Sequence, residues 1–187
     1  MIHYKFSKIY DFSDADLENV YKLLSDEQRL YINSLNSAKK VQSLSARALL
    51  QKVLKEIDVN ASISSLCTKK SGKPYLRDFD LNISLTHSGE YVGCVVSNRP
   101  VGIDIEEIRE IRTAVISRVC SSEELEYLIQ NSLSDFFTLW TLKESYIKAT
   151  DYKTLKVKEL SFVKDGKLFK AELTGKIENY VWSIITL

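Results

Sequence analysis

Two prolines and six glycines in 187 residues exclude a collagenous repeat, a proline-rich spacer and a low-complexity tract. The three cysteines, Cys67, Cys94 and Cys120, are odd in number and widely spaced. They form neither the CxxC pairs of a zinc site nor a disulfide framework, a usage that fits a reducing compartment. With only two histidines, no Ser/His/acid triad can be read from spacing. No sign of charge dominates: 26 Lys+Arg stand against 25 Asp+Glu, which argues against coating nucleic acid by bulk electrostatics and makes any anion site local. No stretch approaches the roughly 20 apolar residues that span a bilayer, and the start, MIHYKFSKIY, lacks the apolar core of a secretion signal. The expectation is a soluble cytoplasmic protein with no membrane or nucleic-acid partner.

What is present is an ordinary globular balance, 44% hydrophobic and 27% charged, patterned for mixed secondary structure. Ile2, Tyr4 and Phe6 alternate as in a strand over 2–9. Ser13-Asp14-Ala15-Asp16 and Ser25-Asp26-Glu27 read as helix starts, each a hydroxyl ahead of acids in the first turn. Val41, Leu44, Ala48, Leu49 and Val53 mark a long helix over about 37–57. Gly72-Lys73-Pro74 reads as a turn, followed by strands over 81–85, 91–97 and 101–108. Helices are expected over about 114–119, 123–129 and 134–149, then strands near 160–164, 168–173 and 180–186, with Asp165-Gly166 as a hairpin turn. Each half runs helices and then strands. The fold class expected is therefore α+β, in two lobes, 1–98 and 99–187, joined near Arg99.

Four segments carry chemistry. In Val101-Gly102-Ile103-Asp104-Ile105-Glu106, the apolar residues share one strand face, while Gly102, Asp104 and Glu106 share the other. Two carboxylates about 6.8 Å apart at Cα suit one hard cation such as Mg²⁺, with Gly102 leaving room for a ligand. Taken alone, the pair reads first as the acidic outer face of a half-exposed strand. In the segment 140–148, Trp140, Glu144 and Lys148 stack at i, i+4 and i+8 on a helix that is apolar on most sides. Its charges then need partners, either each other or a bound ion. Thr86-His87-Ser88-Gly89 places two hydroxyls and an imidazole where they suit a phosphate, or an ordinary hydrogen-bonded strand end. Gly72-Lys73-Pro74 and Arg47 taken alone read as a turn and an ion-pair partner.

In order, Arg47, GKP (72–74), LTHSG (85–89), VGIDIEEI (101–108) and LWTLKESYIKA (139–149) resemble the 4′-phosphopantetheinyl transferase superfamily, in its Sfp-type pseudodimeric branch. The resemblance implies two similar α/β lobes about a pseudo-twofold axis with coenzyme A between them. It implies transfer of the 4′-phosphopantetheine arm of coenzyme A to a serine of an apo acyl or peptidyl carrier protein, releasing 3′,5′-ADP. It further implies Mg²⁺ on Asp104, Glu106 and Glu144, and Lys148 and His87 on the pyrophosphate or 3′-phosphate. Arg47 would meet the 3′-phosphate, and Gly72, Lys73, Pro74 and Thr86 would line the nucleotide pocket. Lys143 is a phosphate contact or a positioning group. Glu144, or water on the metal, is the base for the serine proton, and Asp104, Glu144 and Lys148 form the catalytic set. A pseudodimer is expected to act as a monomer. Three positions depart from the family: Thr86 stands where relatives commonly have serine, and Gln28 and Tyr31 where some relatives place lysines against the 3′-phosphate. Those departures motivate an alternative, a catalytically degenerate homologue that binds coenzyme A or a carrier protein. A Mg²⁺-dependent nuclease on the same carboxylates is the other, which the balanced charge disfavours.

Overall fold

The computed structural model describes residues 1–57, 60–151, 156–169, 171 and 173–187. The chain opens with β1 (Ile2–Lys8), then α1 (Asp14–Leu23), α2 (Asp26–Asn33) and α3 (Ser37–Ile57). Both hydroxyl starts behave as N-caps: Ser13 accepts from the Asp16 N–H in a capping box, and Ser25 accepts from the Gln28 N–H. A short hairpin follows, β2 (Leu66–Thr68) and β3 (Pro74–Leu76), turning at Gly72, whose φ of 85° favours glycine. Then come β4 (Asn82–Ser88), β5 (Tyr91–Ser97) and β6 (Val101–Glu107).

The remaining helices are α4 (Thr113–Val119), α5 (Ser122–Gln130) and α6 (Asp135–Thr150). The chain ends with β7 (Val163–Lys164), β8 (Lys167–Leu168), β9 (Leu173–Ile177) and β10 (Tyr180–Thr186). Asp165 and Gly166 both have positive φ, as a two-residue hairpin requires. Part of the strand expected over 168–173 falls on residues 170 and 172, outside the described residues. The strand β9 itself begins only at Leu173 and was not anticipated, because Gly175 and Lys176 interrupt its apolar pattern.

The mixed α+β class is as expected. Two antiparallel three-stranded sheets form, in the orders β1-β5-β4 and β6-β10-β9. All strands of the first precede Pro100, and all strands of the second follow it. Helix α3 packs on the first sheet, with Leu50, Val53 and Leu54 fully or almost fully buried. Helix α6 lies along β6 and β10 of the second.

Gly102 sets the distance between α6 and β6. A Cβ there would lie 2.0 Å from the Ser145 carbonyl oxygen and 2.7 Å from the Ala149 nitrogen. The space left by this glycine is therefore filled by helix backbone. That overturns the expectation that it leaves room for a ligand.

The two sheets meet edge to edge where β4 lies against β6. In place of a backbone ladder, Ser84, Thr86 and Ser88 present hydroxyls that accept the N–H groups of Ile103 (3.3 Å), Ile105 (3.2 Å) and Glu107 (3.2 Å). These hydroxyls recur at the two-residue period of one strand face. Their row satisfies edge donors that would otherwise be buried without partners.

Candidate active site

The seam between β4 and β6 is roofed by α6, and all the sequence-singled carboxylates converge there. Asp104 and Glu106 project from the same face of β6. From α6, Trp140 Nε1 donates to Glu106 Oε1 at 3.1 Å, and Lys148 Nζ meets Asp104 Oδ1 at 2.7 Å and the Ile103 carbonyl at 3.0 Å. Glu144 sits one turn from each, so helix periodicity directs all three side chains toward β6. The internal Glu144–Lys148 pair weighed from the sequence does not form. Lys148 answers Asp104 instead.

Asp104 is almost fully buried, and its two oxygens differ. Oδ1 receives Lys148 and, at 3.0 Å, the Thr86 hydroxyl; Oδ2 is buried with no hydrogen-bond partner. A bare buried carboxylate oxygen is costly unless something cationic completes it. Glu144 is half-buried and receives no side-chain or backbone donor among the described residues. Burial and the nearby Asp104 charge push both Glu144 and Glu106 above the usual carboxylate range, with Lys148 opposing the shift at Glu144. Among the described residues, no three His, Cys, Asp or Glu side chains by themselves cage a metal. The bare oxygen of Asp104 and the donor-free Glu144 suit a hard cation such as Mg²⁺, which completes its shell from water and a phosphorylated ligand.

Beside the carboxylates opens a cleft of about 540 Å³. Arg47, Lys73, His87 and Lys148 contribute to its walls, with Gly72 and Pro74 at the hairpin end. It thus gathers Arg47, the whole of 72–74, His87 and Lys148 from four separate stretches of chain. Desolvation at the wall and the Lys148 charge hold the His87 imidazole below its usual range. Lys73 donates to the carbonyls of Lys148 (2.6 Å) and Ala149 (3.2 Å), tying the hairpin to the last turn of α6. Burial pushes its ammonium below the usual lysine range.

Arg47 is 7% exposed, and it is not the ion-pair partner its isolated reading allowed. Its acceptors are neutral: the Ser43 carbonyl (3.1 Å), the Ser43 hydroxyl (2.6 Å) and Gln28 Oε1 (2.8 Å). Nε is buried without a partner, and the guanidinium lies 5.7 Å from the centre of the Tyr31 ring. Gln28, 1% exposed, passes the contact on by donating to the Thr68 hydroxyl at 2.6 Å. The cleft therefore has a buried cation whose charge no carboxylate balances among the described residues.

Two assignments need correction. Thr86 is 4% exposed, and its hydroxyl is engaged by Asp104 and the Ile105 N–H, so it does not line the nucleotide pocket. Lys143 points away from the cleft: fully buried, it pairs with Glu124 at 2.6 Å and donates to the carbonyls of Val119, Val157 and Leu160. An ammonium so surrounded has no hydrogen left for phosphate. Ser88, offered by the sequence as a hydroxyl for phosphate, donates instead to Glu106 Oε2 at 3.1 Å, a partner the sequence does not reveal. The nearest signal was its two-residue spacing from Thr86. The link from Gln28 to Arg47 had no sequence signal, because it joins two helices.

A family model described as the 4′-phosphopantetheinyl transferase superfamily matches residues 100–183, which include β6 and α6. The chain is 36% identical over 157 residues to the 4′-phosphopantetheinyl transferase gsp of Aneurinibacillus migulanus, a match covering 80% of this chain and 65% of that protein. It is 40% identical over 88 residues to psf-1 of Bacillus pumilus, covering 44% and 38%, and 31% identical over 101 residues to Sfp of Bacillus subtilis, covering 51% and 45%. The matched stretch thus spans less than two thirds of each of these relatives.

Proposed function

From the match of residues 100–183 to the 4′-phosphopantetheinyl transferase superfamily, we propose that the chain is an Sfp-type holo-carrier-protein synthase. Its substrates are coenzyme A and an apo acyl or peptidyl carrier protein. The carrier serine oxygen bonds to the phosphorus bearing the pantetheine arm, the bond from that phosphorus to 3′,5′-ADP breaks, and the serine proton leaves. One observation above all supports this reading: a carboxylate row with a bare buried oxygen is joined, through the Lys148–Asp104 pair, to a cleft lined by four basic groups.

Asp104, Glu106 and Glu144 would hold Mg²⁺, which when bound neutralises charge on the pyrophosphate. Lys148 and His87 face the same phosphates from the cleft wall. Arg47 offers its uncompensated charge to the 3′-phosphate, and the 72–74 hairpin borders the nucleotide. Glu144, beside the other two carboxylates and without a hydrogen-bond donor of its own among the described residues, is the base proposed for the serine proton. In this reading residues 1–98 and 99–187 are two lobes that complete one site within a monomer, supported by the division of the two sheets at Pro100. Three free, buried cysteines and the lack, among the described residues, of a helix long and apolar enough to cross a membrane are compatible with a cytoplasmic enzyme.

Intact-protein mass spectrometry of apo carrier proteins incubated with this protein, coenzyme A and Mg²⁺ tests the proposal. A gain of one phosphopantetheine is expected, with loss by orders of magnitude in folded Asp104→Ala. Coenzyme A binding without any gain on several carriers would identify the degenerate binder instead.

A further inference from the structure

The hydroxyls along β4 do more than close the seam. A hydroxyl has one hydrogen to give and two lone pairs to receive with. In Thr86 the Ile105 N–H occupies the receiving side, so the single hydrogen is directed to Asp104 Oδ1. In Ser88 the Glu107 N–H does the same, and the hydrogen goes to Glu106 Oε2. Each carboxylate is thus held by a hydroxyl that is anchored on the backbone N–H of the very next residue. The unit repeats two residues along both strands. Trp140 takes the other oxygen of Glu106, and Lys148 shares Oδ1 of Asp104, which leaves Oδ2 as the one Asp104 oxygen turned to no donor.

The side chain of Thr86 is itself held in place. Gly93 stands opposite it on β5, and a Cβ at Gly93 would lie 3.0 Å from the Thr86 methyl. The Phe6 ring, 2.7 Å from the same Cβ position, shares that space with the methyl, and a β-branched side chain so packed is restricted at χ1. Threonine in place of the commoner serine keeps the hydroxyl and adds a lock on its direction.

We propose that Thr86 and Ser88 are positioning residues that orient Asp104 and Glu106 for a divalent cation. The assignment rests on the metal reading above. It makes Thr86 an organiser of the carboxylates rather than a contact of the nucleotide. Strand β4 thereby contributes to cation affinity without offering a ligand of its own.

The test is Mn²⁺ titration of the full chain by electron paramagnetic resonance with coenzyme A present, alongside calorimetric coenzyme A binding in EDTA. Thr86→Val and Ser88→Ala are each expected to weaken Mn²⁺ by about 10- to 100-fold, and Thr86→Ser by no more than about threefold, while coenzyme A affinity in EDTA stays within about twofold. Circular dichroism checks each fold, and Ser88→Ala, which removes one oxygen at a half-buried site, stands in if Thr86→Val does not fold. Wild-type Mn²⁺ affinity in folded Ser88→Ala and Thr86→Val would overturn the assignment. So would a Thr86→Ser loss equal to that of Thr86→Val, which would point to packing. A wild type that binds no Mn²⁺ would overturn the metal reading and this assignment together. A wild type that binds Mn²⁺, shows the variant pattern and modifies no carrier would sustain the assignment and overturn only the transferase.

Discussion

A guanidinium does not shed its proton near neutral pH, so burying Arg47 among neutral acceptors leaves a standing positive charge in the cleft wall. Gln28 decides whether that charge stays available. Its amide oxygen accepts from Arg47 and its amide nitrogen is tied to Thr68, so it directs the guanidinium without neutralising it. Gln28→Glu keeps the shape and supplies a counter-charge. Coenzyme A affinity should fall by about tenfold, the effect of roughly 1.4 kcal/mol, with a smaller loss for coenzyme A lacking its 3′-phosphate. Calorimetry with both ligands checks this, and an unchanged ratio between them would remove Arg47 from the 3′-phosphate. That Arg47 interrupts the apolar part of its helix was legible in the sequence. Its tether was not, because Gln28 belongs to a different helix and nothing in local spacing joins the two.

Among the elements, α6 shows what periodicity can and cannot say. Its length and the shared face of Trp140, Glu144 and Lys148 follow from spacing. Its apolar residues, however, run most of the way round, so the pattern does not reveal which neighbour each charge meets. Adjacent residues diverge: Glu144 turns to β6, whereas Lys143 enters the interior. There it binds the end of α4 through Val119, the start of α5 through Glu124 and the chain near Val157 and Leu160. Glu124 in turn accepts the N–H groups of Ser121 and Phe162. Removing one partner strands the other charge, so Lys143→Met is expected to cost about 3–5 kcal/mol in urea unfolding. Adding Glu124→Gln should recover part of that loss. A change of under about 1 kcal/mol in Lys143→Met would show that the pair is not what ties these segments together.

For the whole molecule, the carboxylate cluster sets a tension between function and stability. Glu144 and Glu106 titrate above the usual glutamate value near 4.5, so in the metal-free protein the folded state holds their protons more tightly than the unfolded chain. Stability from this source is greatest when both are protonated and declines as pH rises from about 4.5 through their raised values. The opposite sign holds for Asp11, Asp16, Glu18, Asp151 and Glu178, whose lowered values favour the fold until acid protonates them. Glu144→Gln in EDTA should therefore raise Tm at pH 7, with the gain shrinking toward pH 4.5, while transfer activity is lost. Thermal unfolding across that range checks it; an equal gain at both pH values would assign the effect to packing.

Composition, periodicity and a few ordered motifs sufficed for the α+β class and most element positions, and they singled out the carboxylates Asp104, Glu106 and Glu144 and the cleft-lining residues Arg47, His87 and Lys148. These are local properties: helix and strand periods, caps and residue chemistry are written along the chain. Tertiary structure alone decided that Lys148 answers Asp104, that Lys143 serves the interior, that Gly102 admits a helix rather than a ligand, and that Thr86 and Ser88 face carboxylates across a seam. Those outcomes depend on which edges and faces meet after folding. A hydroxyl or a charge takes its role from the partner that burial brings to it, and such partners lie 14 to 44 residues away here.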